Sequence, residues 1–85
     1  MANVELYTKG YCPYCQRAKA LLDNKGVKYT EFSLDTNPGL RDEMIERANG
    51  GRTVPQIFIN ENHVGGCDDL FMLERNNKLQ DLLSA

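Results

Sequence analysis

Residues 4–15, VELYTKGYCPYC, set the architecture of this chain. The apolar start of this segment predicts a first strand, and residues 8–11 predict a loop. Pro13 suits the first position of a helix, where its missing N–H has no partner to lose. We therefore expect a strand that leads through a short loop into a helix, with Cys12 and Cys15 on the first helical turn.

Two thiols placed in this way form a redox motif, because they can close a disulfide with each other. Backbone N–H groups at a helix N-terminus stabilise a thiolate, which is the reactive form of a thiol. Cys12 is therefore the predicted nucleophile, and Lys9 and Arg17 add positive charge nearby. An inert, buried Cys12 is the alternative, but Pro13 and the preceding loop place it at an exposed edge. Cys15 falls on the apolar face of the helix, where it would also pack as a small side chain.

The elements that follow are read from periodicity and from turn residues. Apolar residues at helical spacing continue the first helix to Gly26, which is expected to end it. Residues 28–34 alternate and predict a second strand. A strand–helix–strand unit with short connections has parallel strands. The second helix is expected to begin at Asn37-Pro38, as an N-cap followed by a first-turn proline, and to end at residues 50–51.

The last third of the chain predicts a hairpin and two helices. Residues 56–59 form the third strand, and residues 63–64 begin a fourth strand antiparallel to it. A helix is expected to open at Cys67, with acidic residues in its first turn, and a short closing helix at residues 79–83. The order βαβ, α, ββ, α predicts an α/β protein with a four-stranded mixed sheet flanked by helices. This is the thioredoxin-like layout, in one domain over residues 1–85.

Composition and charge exclude several classes of function. Ten basic and twelve acidic residues give the 85-residue chain a net charge of −2, which favours neither a nucleic-acid nor a membrane partner. The first residues lack the pattern of a secretory signal, and no apolar run is long enough to span a membrane. Three cysteines without an export signal indicate transient rather than structural disulfides. We therefore expect a cytoplasmic protein.

Three motifs in a fixed order carry a family resemblance. They are Cys12-Pro13-Tyr14-Cys15, Thr53-Val54-Pro55 and Gly65-Gly66-Cys67-Asp68-Asp69. With these motifs the chain resembles, over essentially its whole length, the small bacterial glutaredoxins of the dithiol class, the glutaredoxin 3 type. Thioredoxins share the fold but carry Trp-Cys-Gly-Pro-Cys, and this chain has no Trp. The resemblance implies a glutathione-dependent thiol–disulfide oxidoreductase that serves electron transport and cell redox homeostasis.

The resemblance also implies a binding site for glutathione. In the family the proline of the second motif is cis, which would expose the backbone of Val54 to an extended peptide. The helix N-terminus at Gly66 suits a carboxylate, and Asp68 can accept from an ammonium group, so the γ-glutamyl end of glutathione would satisfy both. Lys9 would hold the glycine carboxylate. The predicted glutathione-binding residues are Lys9, Tyr14, Thr53, Val54, Pro55, Gly66, Cys67 and Asp68, with Gln56 a further candidate for the glycyl end.

Each of these residues also has a purely structural interpretation. Pro55 alone would be a turn residue before a strand. Helix capping explains one of Asp68 and Asp69. Tyr14 is as easily an ordinary surface tyrosine, and Cys67 is expected only to pack and not to react.

In the mechanism that the resemblance implies, Cys12 attacks a substrate disulfide or a glutathione mixed disulfide, and Cys15 resolves the product. Glutathione is then a co-substrate, and no cofactor is bound permanently. The expected partners are disulfide-containing or glutathionylated proteins, with ribonucleotide reductase and sulfate-assimilation enzymes as candidates. We expect a monomer, because no exposed apolar stripe remains once the core is assigned.

A metal-binding module is the alternative function. Cys12 and Cys15, together with His63 and Cys67, imitate a Cys₂HisCys zinc set, although the gap between the two halves is wide. A second variant is an iron–sulfur carrier that bridges a cluster with the first motif cysteine and glutathione. Such carriers usually have Cys-Gly-Phe-Ser, so we assign no metal ligand.

Overall fold

The fold is a mixed sheet with helices on both faces, as seen in a computed structural model that describes residues 2–84. Its elements in chain order are β1 (Val4–Thr8), α1 (Pro13–Asn24), β2 (Thr30–Ser33), α2 (Leu40–Arg47), β3 (Gln56–Ile59), β4 (Asn62–Gly65), α3 (Cys67–Arg75) and α4 (Leu79–Leu83). No helix in this described range is both long and apolar enough to cross a membrane.

The sheet has four strands in the order β2-β1-β3-β4. β1 and β2 are parallel, whereas β3 is antiparallel to both β1 and β4. The predicted mixed sheet, the βαβ unit and the closing hairpin are thus confirmed. Every residue of β3 is buried, since this strand is central in the sheet.

Apolar side chains form a separate core on each face of the sheet. The larger core joins β1 and β3 to α1, α3 and α4, and includes Leu6, Leu22, Ile57 and Leu70. The smaller core lies under α2 and includes Tyr7, Met44 and Phe58. Successive residues of β3 therefore point to opposite faces, as the period of a strand requires.

The C-terminal ends of α1, α2 and α3 follow one capping pattern. Gly26 has a φ of 68° after α1, and the N–H of Val27 donates to the Leu22 carbonyl at 3.1 Å, which is the Schellman arrangement. The predicted role of Gly26 is confirmed. Asn49 and Asn77, with φ of 55° and 59°, take the same position after α2 and α3. α2 therefore ends earlier than its predicted end at the two glycines.

The predicted start of α2 is wrong. The helix begins at Leu40, and no side chain caps it. The Leu40 N–H donates to the Asn37 carbonyl at 3.1 Å, so Pro38 and Gly39 form a turn before the helix. The Asn37 backbone supplies the acceptor that its side chain was expected to supply.

The hairpin between β3 and β4 turns through Asn60 and Glu61, whose φ values are 51° and 68°. Two positive φ values in a two-residue loop are those of a type I′ turn. Asn62 already pairs with Ile59, so the predicted turn of residues 60–62 is one residue shorter. A side chain at Glu61 is strained there, because the left-handed region disfavours a Cβ atom.

Glu61→Gly is expected to raise the free energy of unfolding by about 1 kcal/mol, because glycine adopts positive φ without that strain. Urea denaturation measures the change. Glu61→Ala, which keeps the Cβ atom, is the control and is expected to give no such gain. A loss of stability in the glycine variant would contradict the assigned turn strain.

Candidate active site

Cys12 is the N-cap residue of α1 and is half-buried. Its backbone is extended, with φ −142° and ψ 103°, and this conformation turns the side chain back over the first helical turn. The N–H of Cys15 donates to the Cys12 sulfur at 3.2 Å. The sequence therefore placed Cys12 correctly, at a helix N-terminus with a backbone donor aimed at the sulfur.

Cys15 lies one turn further on and is completely buried. Burial is the largest cause that raises the pKa of Cys15 to about 12, and a hydrogen bond with the Cys12 sulfur is the second largest. A backbone hydrogen bond from Lys9 opposes this shift. At neutral pH Cys15 is therefore a thiol, and its proton can stabilise a negative charge on Cys12.

The Thr53-Val54-Pro55 segment faces the Cys12 sulfur. The Val54–Pro55 peptide bond is cis, as the resemblance implied. The Cys12 thiol can donate to the Val54 carbonyl, whose oxygen lies 3.7 Å from the sulfur. The segment leads directly into β3, so a central strand holds it beside the thiol.

The two aspartates at the start of α3 have different roles. The Asp69 carboxylate accepts from the Gly66 N–H at 2.9 Å and so caps the helix. Gly65 has a φ of 122°, and a Cβ atom there would collide with the Asp69 carboxylate. Asp68 is exposed, and no hydrogen bond or ion pair within residues 2–84 engages it. The capping interpretation thus fits Asp69 and leaves Asp68 free.

An open groove of about 460 Å³ lies beside these elements. It brings together most of the predicted glutathione-binding residues, namely Tyr14, Thr53, Val54, Pro55, Gly66, Cys67 and Asp68. Tyr14 is 55% exposed, so its ring is available to a molecule in the groove. The end of α1 that carries Cys12 adjoins this groove through Tyr14 and Val54.

Lys9 does not line the groove. It is an exposed residue of the loop between β1 and Cys12. A backbone hydrogen bond from Lys9 acts on the Cys15 thiol and lowers its pKa. The contact between Lys9 and a glycine carboxylate stays a prediction.

Sequence reasoning missed His63 as a residue of the groove and considered it as a ligand only in the zinc alternative. His63 as a whole is exposed, but its ring packs against the Phe58 ring, with the two centroids 5.1 Å apart, and forms a hydrogen bond with Gln56. Strand alternation places Gln56 and Phe58 on one face, and a two-residue hairpin places His63 opposite Phe58. That register was the signal in the sequence.

Cys67 is buried in the larger core, at 5% exposure, and burial raises its pKa. The predicted packing role fits this position. In the zinc alternative His63 would have to bind through Nδ1, because its Nε2 is hydrogen-bonded to Gln56. Within the part of the chain that the structure describes, no three His, Cys, Asp or Glu side chains are grouped as metal ligands would be.

Two paired thiols, one half-buried and one completely buried, at the N-terminus of a helix that follows the first strand of this mixed sheet, define the class of thioredoxin-like thiol–disulfide oxidoreductases. Comparison with known proteins identifies the family within this class. The family model described as Glutaredoxin matches residues 4–64. The chain therefore belongs to the glutaredoxin family and is a glutathione-dependent thiol–disulfide oxidoreductase.

Individual relatives agree with this assignment. The chain is 58% identical over 83 residues to Glutaredoxin 3 of Escherichia coli strain K12, covering 98% of this chain and 99% of that protein. It is 56% identical over 85 residues to a glutaredoxin of Pseudomonas aeruginosa, over the full length of both. The buckwheat glutaredoxin–glutathione complex matches with a TM-score of 0.90 at 34% identity, covering 98% of this chain and 77% of that one. The predicted thioredoxin-like fold is confirmed.

Proposed function

We propose that Cys12 is the nucleophile of this enzyme and Cys15 the resolving thiol. The observation that carries the assignment is the contrast between the two sulfurs. Cys12 is half-buried and accepts the Cys15 N–H at 3.2 Å, whereas Cys15 is completely buried. Only one of the two sulfurs is thus both accessible and provided with a donor for its anion.

With a protein disulfide, the Cys12 thiolate attacks one sulfur and forms a mixed disulfide. The substrate's other sulfur leaves as a thiolate and takes a proton. Cys15 then loses its proton and attacks the Cys12 sulfur, which releases the second substrate thiol and closes the Cys12–Cys15 disulfide. Two electrons have passed to the substrate. One glutathione thiolate attacks the Cys12 sulfur, which opens this disulfide and leaves Cys12 glutathionylated. A second glutathione thiolate attacks the glutathionyl sulfur, which releases glutathione disulfide and restores Cys12.

A glutathionylated substrate requires fewer steps. Cys12 takes the glutathionyl group and releases the substrate thiol. A second glutathione then attacks the glutathionyl sulfur, which restores Cys12 and yields glutathione disulfide. Cys15 forms no bond in this cycle.

Glutathione is the co-substrate, and we place it in the groove beside Cys12. The backbone of Val54 would pair with the extended tripeptide. The N-terminus of α3 at Gly66 would receive the γ-glutamyl carboxylate, and the unpaired Asp68 would accept from its ammonium group. Tyr14, Thr53, Pro55 and Cys67 would form the walls of the site.

Asp68→Asn tests this placement. We expect the KM for a glutathionylated peptide to rise about tenfold with little change in kcat, because one charge-assisted hydrogen bond is lost in ground state and transition state alike. The assay couples glutathione disulfide formation to glutathione reductase and NADPH. Asp81→Asn makes the same charge change on α4, outside the groove, and should leave KM unaltered. Equal effects from the two variants would remove Asp68 from the site.

The rate of the resolving step is expected to rise with pH, by up to about tenfold per unit below the pKa of Cys15. The raised pKa of Cys15 keeps it protonated at neutral pH, and only its thiolate can attack. Stopped-flow release of a reporter thiol from a Cys12 mixed disulfide gives this rate. A rate that is flat between about pH 6 and pH 9 would contradict the role of the Cys15 proton.

The remaining proposals concern partners and context. We propose that disulfide-containing and glutathionylated proteins are the substrates, with ribonucleotide reductase as a candidate, and that one cytoplasmic domain spans residues 1–85. We also propose a monomer. Sedimentation of the reduced protein tests the oligomeric state directly.

A further inference from the structure

The side chain of Gln56 bends back onto the segment that faces Cys12. Gln56 is the first residue of β3, immediately after the cis proline, and is only 4% exposed. Its Nε2 donates to the Thr53 carbonyl at 3.0 Å and approaches the Thr53 hydroxyl at 3.4 Å. A buried amide in the central strand thus holds the residue that precedes Val54.

His63 holds the other end of the same amide. Its Nε2 lies 2.6 Å from the Gln56 Oε1. Since that oxygen can only accept, Nε2 carries the proton and donates. The imidazole also packs against the Phe58 ring, and this contact fixes the plane of the imidazole. The His63 imidazole, the Gln56 amide and the Thr53 carbonyl form a continuous chain of hydrogen bonds from β4 through β3 to the Thr53 backbone, called the relay below.

We infer that His63 and Gln56 are positioning residues for glutathione. Val54 lies between Thr53, which the relay holds, and Pro55, which β3 holds. Its carbonyl is 3.7 Å from the Cys12 sulfur. The relay therefore determines how the Val54 backbone is presented to a peptide in the groove. This inference rests on the proposed placement of glutathione at Val54.

Gly51 supplies an independent sign that the position of the amide matters. A Cβ atom on Gly51 would lie 2.9 Å from the Gln56 Nε2 and 3.2 Å from the Ala48 Cβ. The backbone of Gly51 does not have a positive φ, so space rather than conformation requires the glycine. Gly51→Ala would push the Gln56 amide away from Thr53 without substituting any residue that lines the groove.

The decisive variant is His63→Phe, which keeps an aromatic ring against Phe58 and removes the N–H donor. We expect the KM for a glutathionylated peptide to rise about fivefold, the effect of losing one neutral hydrogen bond, with little change in kcat. Gly51→Ala is expected to act in the same direction. His63→Gln, whose amide can donate in place of the imidazole, is expected to recover most of the loss.

A double-variant cycle separates positioning from stability. Once Gln56→Leu has removed the amide, adding His63→Phe is expected to raise KM no further. If the pair only stabilised the fold, the variants would lower the free energy of unfolding and leave the KM of the folded enzyme unchanged. That result, or additive effects in the cycle, would overturn the inference.

Asp68→Asn distinguishes failure of the relay from failure of the glutathione site. If Asp68→Asn raises KM and His63→Phe does not, the glutathione site stands and the relay fails. If neither variant raises KM, the proposed placement of glutathione itself is wrong.

Discussion

Cys12→Ser is expected to reduce turnover of both protein disulfides and glutathionylated peptides to the rate of the uncatalysed thiol exchange. A serine hydroxyl remains protonated at neutral pH and cannot form the mixed disulfide through which both cycles pass. The surrounding donors, including the Cys15 N–H at 3.2 Å, would remain in place without a thiolate to stabilise. Glutathione-dependent NADPH consumption measures the loss directly.

The folded state of that variant needs its own check. Cys12 is half-buried in a cap rather than in the core, so Cys12→Ser and Cys12→Ala should both retain a cooperative unfolding transition near that of the wild type. Residual turnover well above the uncatalysed rate in either folded variant would show that another thiol, Cys15 or Cys67, can act as the nucleophile.

Cys15→Ser is expected to separate the two activities. Reduction of a protein disulfide should fall drastically, because no second thiol resolves the mixed disulfide within the protein. Turnover of a glutathionylated peptide should persist, since that cycle makes no bond to Cys15. Running both substrates through the same coupled assay gives the ratio of the two rates. An equal loss of both activities would contradict this division of roles.

The residue that replaces Cys15 affects stability as well as activity, because Cys15 is completely buried. A serine hydroxyl there needs a hydrogen-bond partner that a thiol hardly requires, and an unsatisfied one costs about 1–3 kcal/mol. Cys15→Ala avoids this cost at the expense of a small cavity. Agreement between the two variants in the ratio of activities, whatever their stabilities, would assign the effect to the missing sulfur.

Local signals in the sequence were sufficient for most of the fold. Pro13 starts α1, and β3 spans the predicted residues 56–59, because a proline and a turn bound the apolar run on either side. The Asn37-Pro38 signal failed for a local reason as well. An N-cap side chain and a backbone turn compete for the same N–H groups, and the turn forms here.

The sequence predicted the site to the extent that the order of strands and helices brings its three motifs together. The βαβ unit and the hairpin bring Cys12, Val54 and Asp68 to one edge of the sheet. The direction of individual side chains was not predictable, because it depends on contacts between strands far apart in sequence. His63, for example, enters the groove through contacts with Phe58 and Gln56.

The N–H of Cys15 that points at the Cys12 sulfur also bears on the reduction potential of the pair. Such a hydrogen bond is stronger to a thiolate than to a disulfide sulfur, so it stabilises the reduced state over the oxidised one. Stabilising the dithiol raises the potential, which makes the protein a milder reductant that is itself more easily reduced. One backbone donor thus helps to fix the direction of electron flow, from glutathione through this protein to disulfides that are more oxidising still.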